Sequence, residues 1–121
     1  MSERFQDPVT SALRERAISL PETTEGTSCV NRAFKVRNKN FLFVGEKDDG
    51  SRKAMLKLKD SLEQAEALAE NDGRFEVGSA GWTTIRFDVE DRPDVDLLEN
   101  WVVESYRLFA PKSLSKQVQD S

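Results

Sequence analysis

The sequence predicts an α+β domain: an antiparallel sheet of five to six strands with three helices, the first and last packed on one face. Three observations predict it. Short stretches between Ala33 and Phe87 alternate apolar with polar residues, the period of a half-buried strand. Three longer segments instead carry apolar residues at helical spacing. Their order is helix, three or four strands, helix, two strands, helix, and runs of strands flanked by helices belong to the α+β class. No segment repeats and no linker divides the 121 residues, which suits one domain over residues 7–111 with frayed ends at 1–6 and 112–121.

The first helix is expected from Asp7-Pro8. Asp7 can cap free backbone N–H groups and proline suits the first turn. Val9, Leu13, Ala17 and Leu20 recur at helical spacing, Arg14, Glu15 and Arg16 face water, and Pro21 stops the run. Glu25-Gly26 reads as a turn into a short extended piece, Thr27–Val30. Strands follow at Ala33–Arg37 and Asn40–Glu46, joined by a tight turn at Asn38-Lys39. Phe34 and Val36 point inward. Phe41 and Phe43 take one face of their strand and Leu42 and Val44 the other, so that strand is central and covered on both sides. Asp49-Gly50 marks the next hairpin, and Arg52–Lys59 returns as a strand.

The middle helix starts at Ser61, which has capping-box spacing to Gln64, and ends at Asn71-Asp72-Gly73 with Gly73 as a left-handed cap. Glu63, Glu66 and Glu70 line its outer side. They read as a solvated face in preference to a weak cation site, because repelling carboxylates on one helix lack a fixed coordination shell. Arg74–Val77 and Trp82–Phe87 are strands around Gly78-Ser79-Ala80-Gly81, which lacks the lysine–serine pair of a phosphate-binding loop. Thr83, Ile85 and Phe87 share one side; Trp82, Thr84 and Arg86 share the other. The last helix ends at Ala110, with Asp96 and Glu99 at capping-box spacing and a broad apolar stripe through Leu97, Leu98, Trp101, Val102, Ser105, Leu108 and Phe109.

Charge is unevenly spread. Arg32–Lys59 holds nine basic and three acidic residues, a net of +6; the remainder holds nine basic and nineteen acidic, a net of −10, and the whole chain is −4. The basic stretch suits an anion-binding face. Lys53, Lys57 and Lys59 fall on one side of their strand, opposite Ala54, Leu56 and Leu58. Lys35, Arg37, Lys39 and Arg52 add to the candidate phosphate contacts. Trp82 and Arg86 add an aromatic and a cation suited to stacking on a base, although tryptophan packed half-buried in the sheet is the preferred reading of that position.

Several classes are excluded. The chain has no histidine, so serine–histidine and cysteine–histidine nucleophile pairs are absent. Cys29 is the only cysteine and no internal disulfide can form. It reads as a small filler on a strand, the alternative being a thiol activated by Arg32 or Lys35. No apolar run spans a bilayer and no signal-peptide pattern is present, so a cytoplasmic protein with no membrane partner is expected. No cofactor, no metal site and no enzymatic activity are expected.

A set of short motifs then carries a family resemblance: Leu20-Pro21 with Glu25-Gly26-Thr27; Phe34-Lys35-Val36 with Lys39-Asn40-Phe41; Leu56-Lys57-Leu58; Gly81-Trp82 with Ile85; and Leu97-Leu98 with Ser105-Tyr106. In this order they resemble the MmcQ/YjbR-like family of small bacterial proteins, from the first helix to Pro111. The resemblance implies a fold similar to the bacterial frataxin (CyaY)-like arrangement, and DNA binding through a double-wing arrangement of hairpins. It implies no catalytic set. Frataxin-like metal handling would draw on acidic residues of the first helix, where Asp7 and Glu15 here stand beside Arg14 and Arg16. Two readings of the basic face are therefore carried forward: nucleic acid, above all DNA, or an acidic protein partner or second copy of the chain.

Overall fold

The computed structural model describes residues 8–28, 31–47, 50–88 and 93–118. The elements are α1 (Pro8–Ile18), β1 (Thr23–Ser28), β2 (Asn31–Val36), β3 (Lys39–Glu46), β4 (Ser51–Lys57), α2 (Leu62–Asn71), β5 (Phe75–Val77), β6 (Trp82–Asp88), α3 (Val95–Phe109) and α4 (Lys112–Ser115), with a 3₁₀ turn at Ser79–Gly81. The six strands form one open sheet in the order β1-β2-β3-β4-β6-β5, antiparallel throughout. The architecture is α+β as expected, with a fourth short helix.

Alternation fixes which face is covered. Phe34 and Val36 of β2, Leu42 and Val44 of β3, Ala54 and Leu56 of β4, and Ile85 and Phe87 of β6 are all buried. They pack against Leu13 and Ala17 of α1 and Leu98, Trp101, Val102 and Tyr106 of α3 in one core. Each of the larger side chains contributes about 1.5–3 kcal/mol on burial. α2 flanks the β5 edge, where the Phe75 ring meets Trp101 edge-on at 6.0 Å.

One residue departs from simple alternation. The β2–β3 register shifts between Phe34 and Lys35, giving β3 an extra residue. Phe41 and Leu42 are consequently both fully buried, and Phe41 meets the Tyr106 ring of α3 edge-on at 5.3 Å. Phe41 and Phe43 therefore do not share a face. The bulge also opens the β3–β4 ladder beyond Leu42 and Leu56. Ser105 of α3 fills the gap: its hydroxyl accepts from the Lys57 N–H at 3.0 Å and donates to the Phe41 carbonyl at 2.6 Å.

Other local expectations are corrected. Glu25 and Gly26 lie within β1, paired with Phe34 and Ala33, not in a turn. Glu25 faces the helices and takes both Arg14 and Arg32 at 2.9–3.1 Å, so Arg14 is half-buried and not turned to water. Val36 and Lys39 are register partners, so the hairpin turn is Arg37-Asn38, both at positive φ (51° and 68°), the mirror-image turn whose twist suits a hairpin. Ser61 makes no cap bond on α2; its hydroxyl donates to Glu104 of α3 at 2.6 Å. The α2 C-cap is Asp72 in extended backbone, and Gly73 is not left-handed. The α3 cap is Asp94, which accepts from the Leu97 N–H at 3.2 Å, two residues before the expected Asp96. Beyond Pro111, where fraying is expected, α4 forms and Leu114 and Val118 are buried. Asp7, Cys29, Val30 and Asp49 lie outside the described residues, as do residues 1–6.

Candidate functional site

The face of the sheet turned away from the core carries three cross-strand rows. At the end nearer the β3–β4 hairpin, Gly45, Lys53 and Arg86 are register partners. In the middle, Ala33, Phe43, Met55, Thr84 and Glu76 line up across five strands. At the far end Lys57 pairs with Trp82, and Lys35 is the next outward residue of β2 after Ala33. Successive rows lie two residues, or about 6.5–7 Å, apart. A mostly apolar row thus runs between two cationic ones. Phe43, Lys53, Met55, Lys57, Trp82 and Thr84 are half-buried, and Lys35 and Arg86 are exposed.

Trp82 is placed by packing. Its ring sits between Phe43, at 6.2 Å, and Phe109 from the end of α3, at 6.0 Å, both tilted. The Lys57 ammonium lies 5.5 Å over the Phe109 ring, a cation–π contact. Sheet packing and partial exposure hold together at this residue. Its position depends on Gly81, which has φ of +86° and would bring a Cβ within 2.4 Å of the Leu58 carbonyl oxygen. Gly81 in turn accepts from the Leu58 N–H at 2.9 Å, so β4 ends where β6 begins.

Lys35, Lys53, Lys57, Trp82 and Arg86 come together on this face, and the other sequence candidates do not. Arg52 points to the core side, where only 10% of its side chain is exposed, and it faces Glu46 at 3.9 Å. Arg37 sits in the hairpin turn, 2.7 Å from Glu22, and that pairing holds the Glu22 carboxyl below its ordinary range. Lys39 is exposed beside the same turn. Lys59 lies past the end of β4, so it does not share a strand face with Lys53 and Lys57; its backbone N–H is held by Glu104 at 2.8 Å. Burial pushes the Glu104 carboxyl up, but hydrogen bonds from the Ser61 hydroxyl and from the Ser61, Lys59 and Asp60 N–H groups outweigh it and leave it lowered. Arg86 is ion-paired with Glu76.

Phe43 and Met55 were missed as candidates. Met55 was legible as the outward residue between Lys53 and Lys57. Phe43 was not, because the bulge at Phe41 breaks the alternation that would have oriented it. Beside the Gly45–Lys53–Arg86 row the surface sinks into a concavity of about 570 Å³, which Lys47 and Arg74 also line. Glu63, Glu66 and Glu70 are exposed on α2, and among the described residues no three His, Cys, Asp or Glu side chains stand close enough to hold a metal ion. None of the described helices is long and apolar enough to cross a membrane.

The family model described as YjbR matches residues 18–108. The chain belongs to the YjbR family. Its fold is similar to that of the Deinococcus radiodurans protein DR2400, a DUF419-domain protein seen in a crystal structure, with a TM-score of 0.65 and 20% identity over 90% of this chain and 88% of that one. No curated protein matches the chain significantly. The YjbR span covers all six strands, α2 and most of α3. Two of the motifs that carry the resemblance have structural work in it: Ser105 bridges β3 to β4, and the Tyr106 hydroxyl donates to the Pro21 carbonyl at 2.7 Å, tying α3 to the end of α1.

Proposed function

We propose that this YjbR-family protein binds nucleic acid across the open face of its sheet, with single strands favoured over duplex. One observation carries the reading. An aromatic and aliphatic row, Phe43 and Met55 with Trp82 beside it, lies between rows bearing Lys35 and Lys57 on one side and Lys53 and Arg86 on the other. Exposed rings accept unstacked bases regardless of sequence, and cations about one nucleotide to either side meet phosphates. A duplex offers its bases only through its grooves, and none of the described helices projects from this face to enter one. The acidic remainder of the chain repels the backbone elsewhere and confines binding to the open face. The role is that of a binding module, with no reaction assigned to it.

The test is fluorescence anisotropy of a labelled oligothymidylate and of a duplex over a salt series from about 20 to about 300 mM. Engagement of the three unpaired lysines predicts a log–log salt slope near −2 for the single strand. Trp82→Ala should weaken binding at every salt concentration, whereas Lys53→Glu with Lys57→Glu should weaken it and flatten the slope. Absence of binding at the lowest salt, or binding indifferent to all three substitutions, overturns the reading. An acidic protein partner would then be the occupant to seek.

A further inference from the structure

We infer that the concavity at the hairpin end of the sheet holds a site for a small molecule bearing two or more linked phosphates. Its volume of about 570 Å³ falls within the range of small-molecule sites. It crosses the sheet instead of following a strand. Asn31 of β2, Gly45 of β3, Lys53 of β4, Arg86 of β6 and Arg74 at the foot of β5 all line it, and Lys47 stands at its hairpin rim. Adjacent strands lie about 4.8 Å apart, so the trough runs about 19 Å from Asn31 to Arg74.

Its composition is that of an anion site. Five cations line it, Arg52 included, against two carboxylates, Glu46 and Asp88. Glu46 is already engaged by the Thr10 hydroxyl and Arg52. Lys47 and Lys53 have no ion pair among the described residues. Two arginines are held in place from outside the trough. Asp72 takes the Arg74 guanidinium through both oxygens, at 2.8–3.2 Å, and is itself held down to about 2; Glu76 takes Arg86. Fixed guanidiniums beside free ammoniums suit a phosphate chain, where the arginines orient and the lysines add charge.

Two features of the sheet shape the trough. Lys53 and Arg86 stand directly opposite each other across β4 and β6, and Glu76 takes up the Arg86 charge while Lys53 keeps its own. On the other side of Lys53 its partner is Gly45, where a Cβ would meet the Asn31 side-chain oxygen at 2.3 Å. Gly45 thus leaves room for the Asn31 side chain at the floor of the trough, and an incoming anion would pair the Lys53 ammonium beside it. Mononucleotide polyphosphates and inorganic polyphosphate share the chemistry that fits. The site shares Lys53 and Arg86 with the proposed nucleic-acid face, but it lies four residues along β4 from Lys57 and Trp82, about 13 Å, and does not need the aromatic row.

The test is amide-resolved NMR titration with tripolyphosphate, inorganic phosphate and ATP at low salt. Tripolyphosphate should shift the amides of Gly45, Lys53 and Arg86 saturably, well ahead of those of Lys57 and Trp82, and inorganic phosphate should bind far more weakly. Lys53→Gln with Lys47→Gln should lower the affinity at least about tenfold, and Trp82→Ala should leave it unchanged. ATP binding tighter than tripolyphosphate makes the ligand a nucleotide, and equal binding makes it the polyphosphate itself. No saturable shift by about 10 mM, or affinity unchanged in the double lysine variant, overturns the proposal. Tripolyphosphate binding without oligonucleotide binding would refute the nucleic-acid reading alone, and the converse would refute this site alone.

Discussion

Ser105→Ala is the sharpest test of how α3 and the sheet are joined. Ser105 is fully buried, and its hydroxyl is the bridge between the Lys57 N–H and the Phe41 carbonyl. Removing it strands one backbone donor and one acceptor where the β3–β4 ladder has parted. Each unsatisfied buried group costs about 1–3 kcal/mol, offset in part by the better helix propensity of alanine, so a net loss of about 2–4 kcal/mol is expected. That is a large share of the roughly 5–15 kcal/mol that holds a domain of this kind. With a urea m-value of about 1.5 kcal/mol/M the midpoint should fall by about 1.5–2.5 M. Hydrogen exchange at the Lys57 amide should accelerate by more than the global loss predicts, since its acceptor is gone. A midpoint within about 0.3 M of wild type, with the Lys57 amide still protected, would mean that the strands close and pair directly once the serine is gone. The bulge at Phe41 would then not be what holds the ladder open.

Glu104→Gln should cost about 1 kcal/mol near neutral pH, because the amide keeps only one acceptor oxygen for the turn at Lys59–Ser61. The folded carboxyl is lowered from 4.5, so its contribution is fully present above that pH and fades as pH falls through the lowered value; urea midpoints of the two proteins should converge as the solution is acidified below the ordinary carboxylate range. Gly81→Ala should destabilise by about 2 kcal/mol or more in thermal melts, since φ is +86° and the new Cβ would meet a backbone oxygen at 2.4 Å. Gly26→Ala, with nothing within 4 Å, should stay within about 1 kcal/mol of wild type. Arg32→Gln leaves the largely buried Glu25 with one partner and should cost about 1–3 kcal/mol, whereas Lys53→Gln should change stability by less than about 0.5 kcal/mol.

Most of the fold was legible because β2, β3, β4 and β6 bury one face and so carry a period of two, while α1 and α3 carry a stripe. β1 was not. Thr23-Thr24-Glu25-Gly26-Thr27-Ser28 has no apolar residue to alternate, because an edge strand needs only backbone pairing, and the charged side chain that it turns inward, Glu25, is matched to two arginines. The caps failed for a related reason. Ser61 and Gln64 have the right spacing, but Glu104, more than forty residues away, supplies a stronger acceptor for the same turn. At the site, parity along β4 already separated Arg52 from Lys53 and Lys57; weighing charge over the whole stretch hid that separation. What no local pattern could show is which cations would be neutralised, since Glu22, Glu46 and Glu76 reach Arg37, Arg52 and Arg86 through the tertiary fold.

That neutralisation follows a chemical rule. Every ion-paired cation among the described residues is an arginine: Arg14, Arg32, Arg37, Arg52, Arg74 and Arg86. Lys35, Lys39, Lys47, Lys53, Lys57 and Lys59 enter no such pair. A guanidinium is weakly hydrated and matches a carboxylate bidentately, so it suits fixed structural pairing; an ammonium is strongly hydrated and stays in solvent on a flexible stem. The basic stretch therefore does two separable jobs. Its arginines tie β1, β2 and the hairpins to acidic neighbours, and its lysines keep their charge in solvent. The +6 of the sequence is, in the folded protein, a surface of lysines with the arginines largely spent, which is why a chain of net −4 can still present a face of unpaired cations.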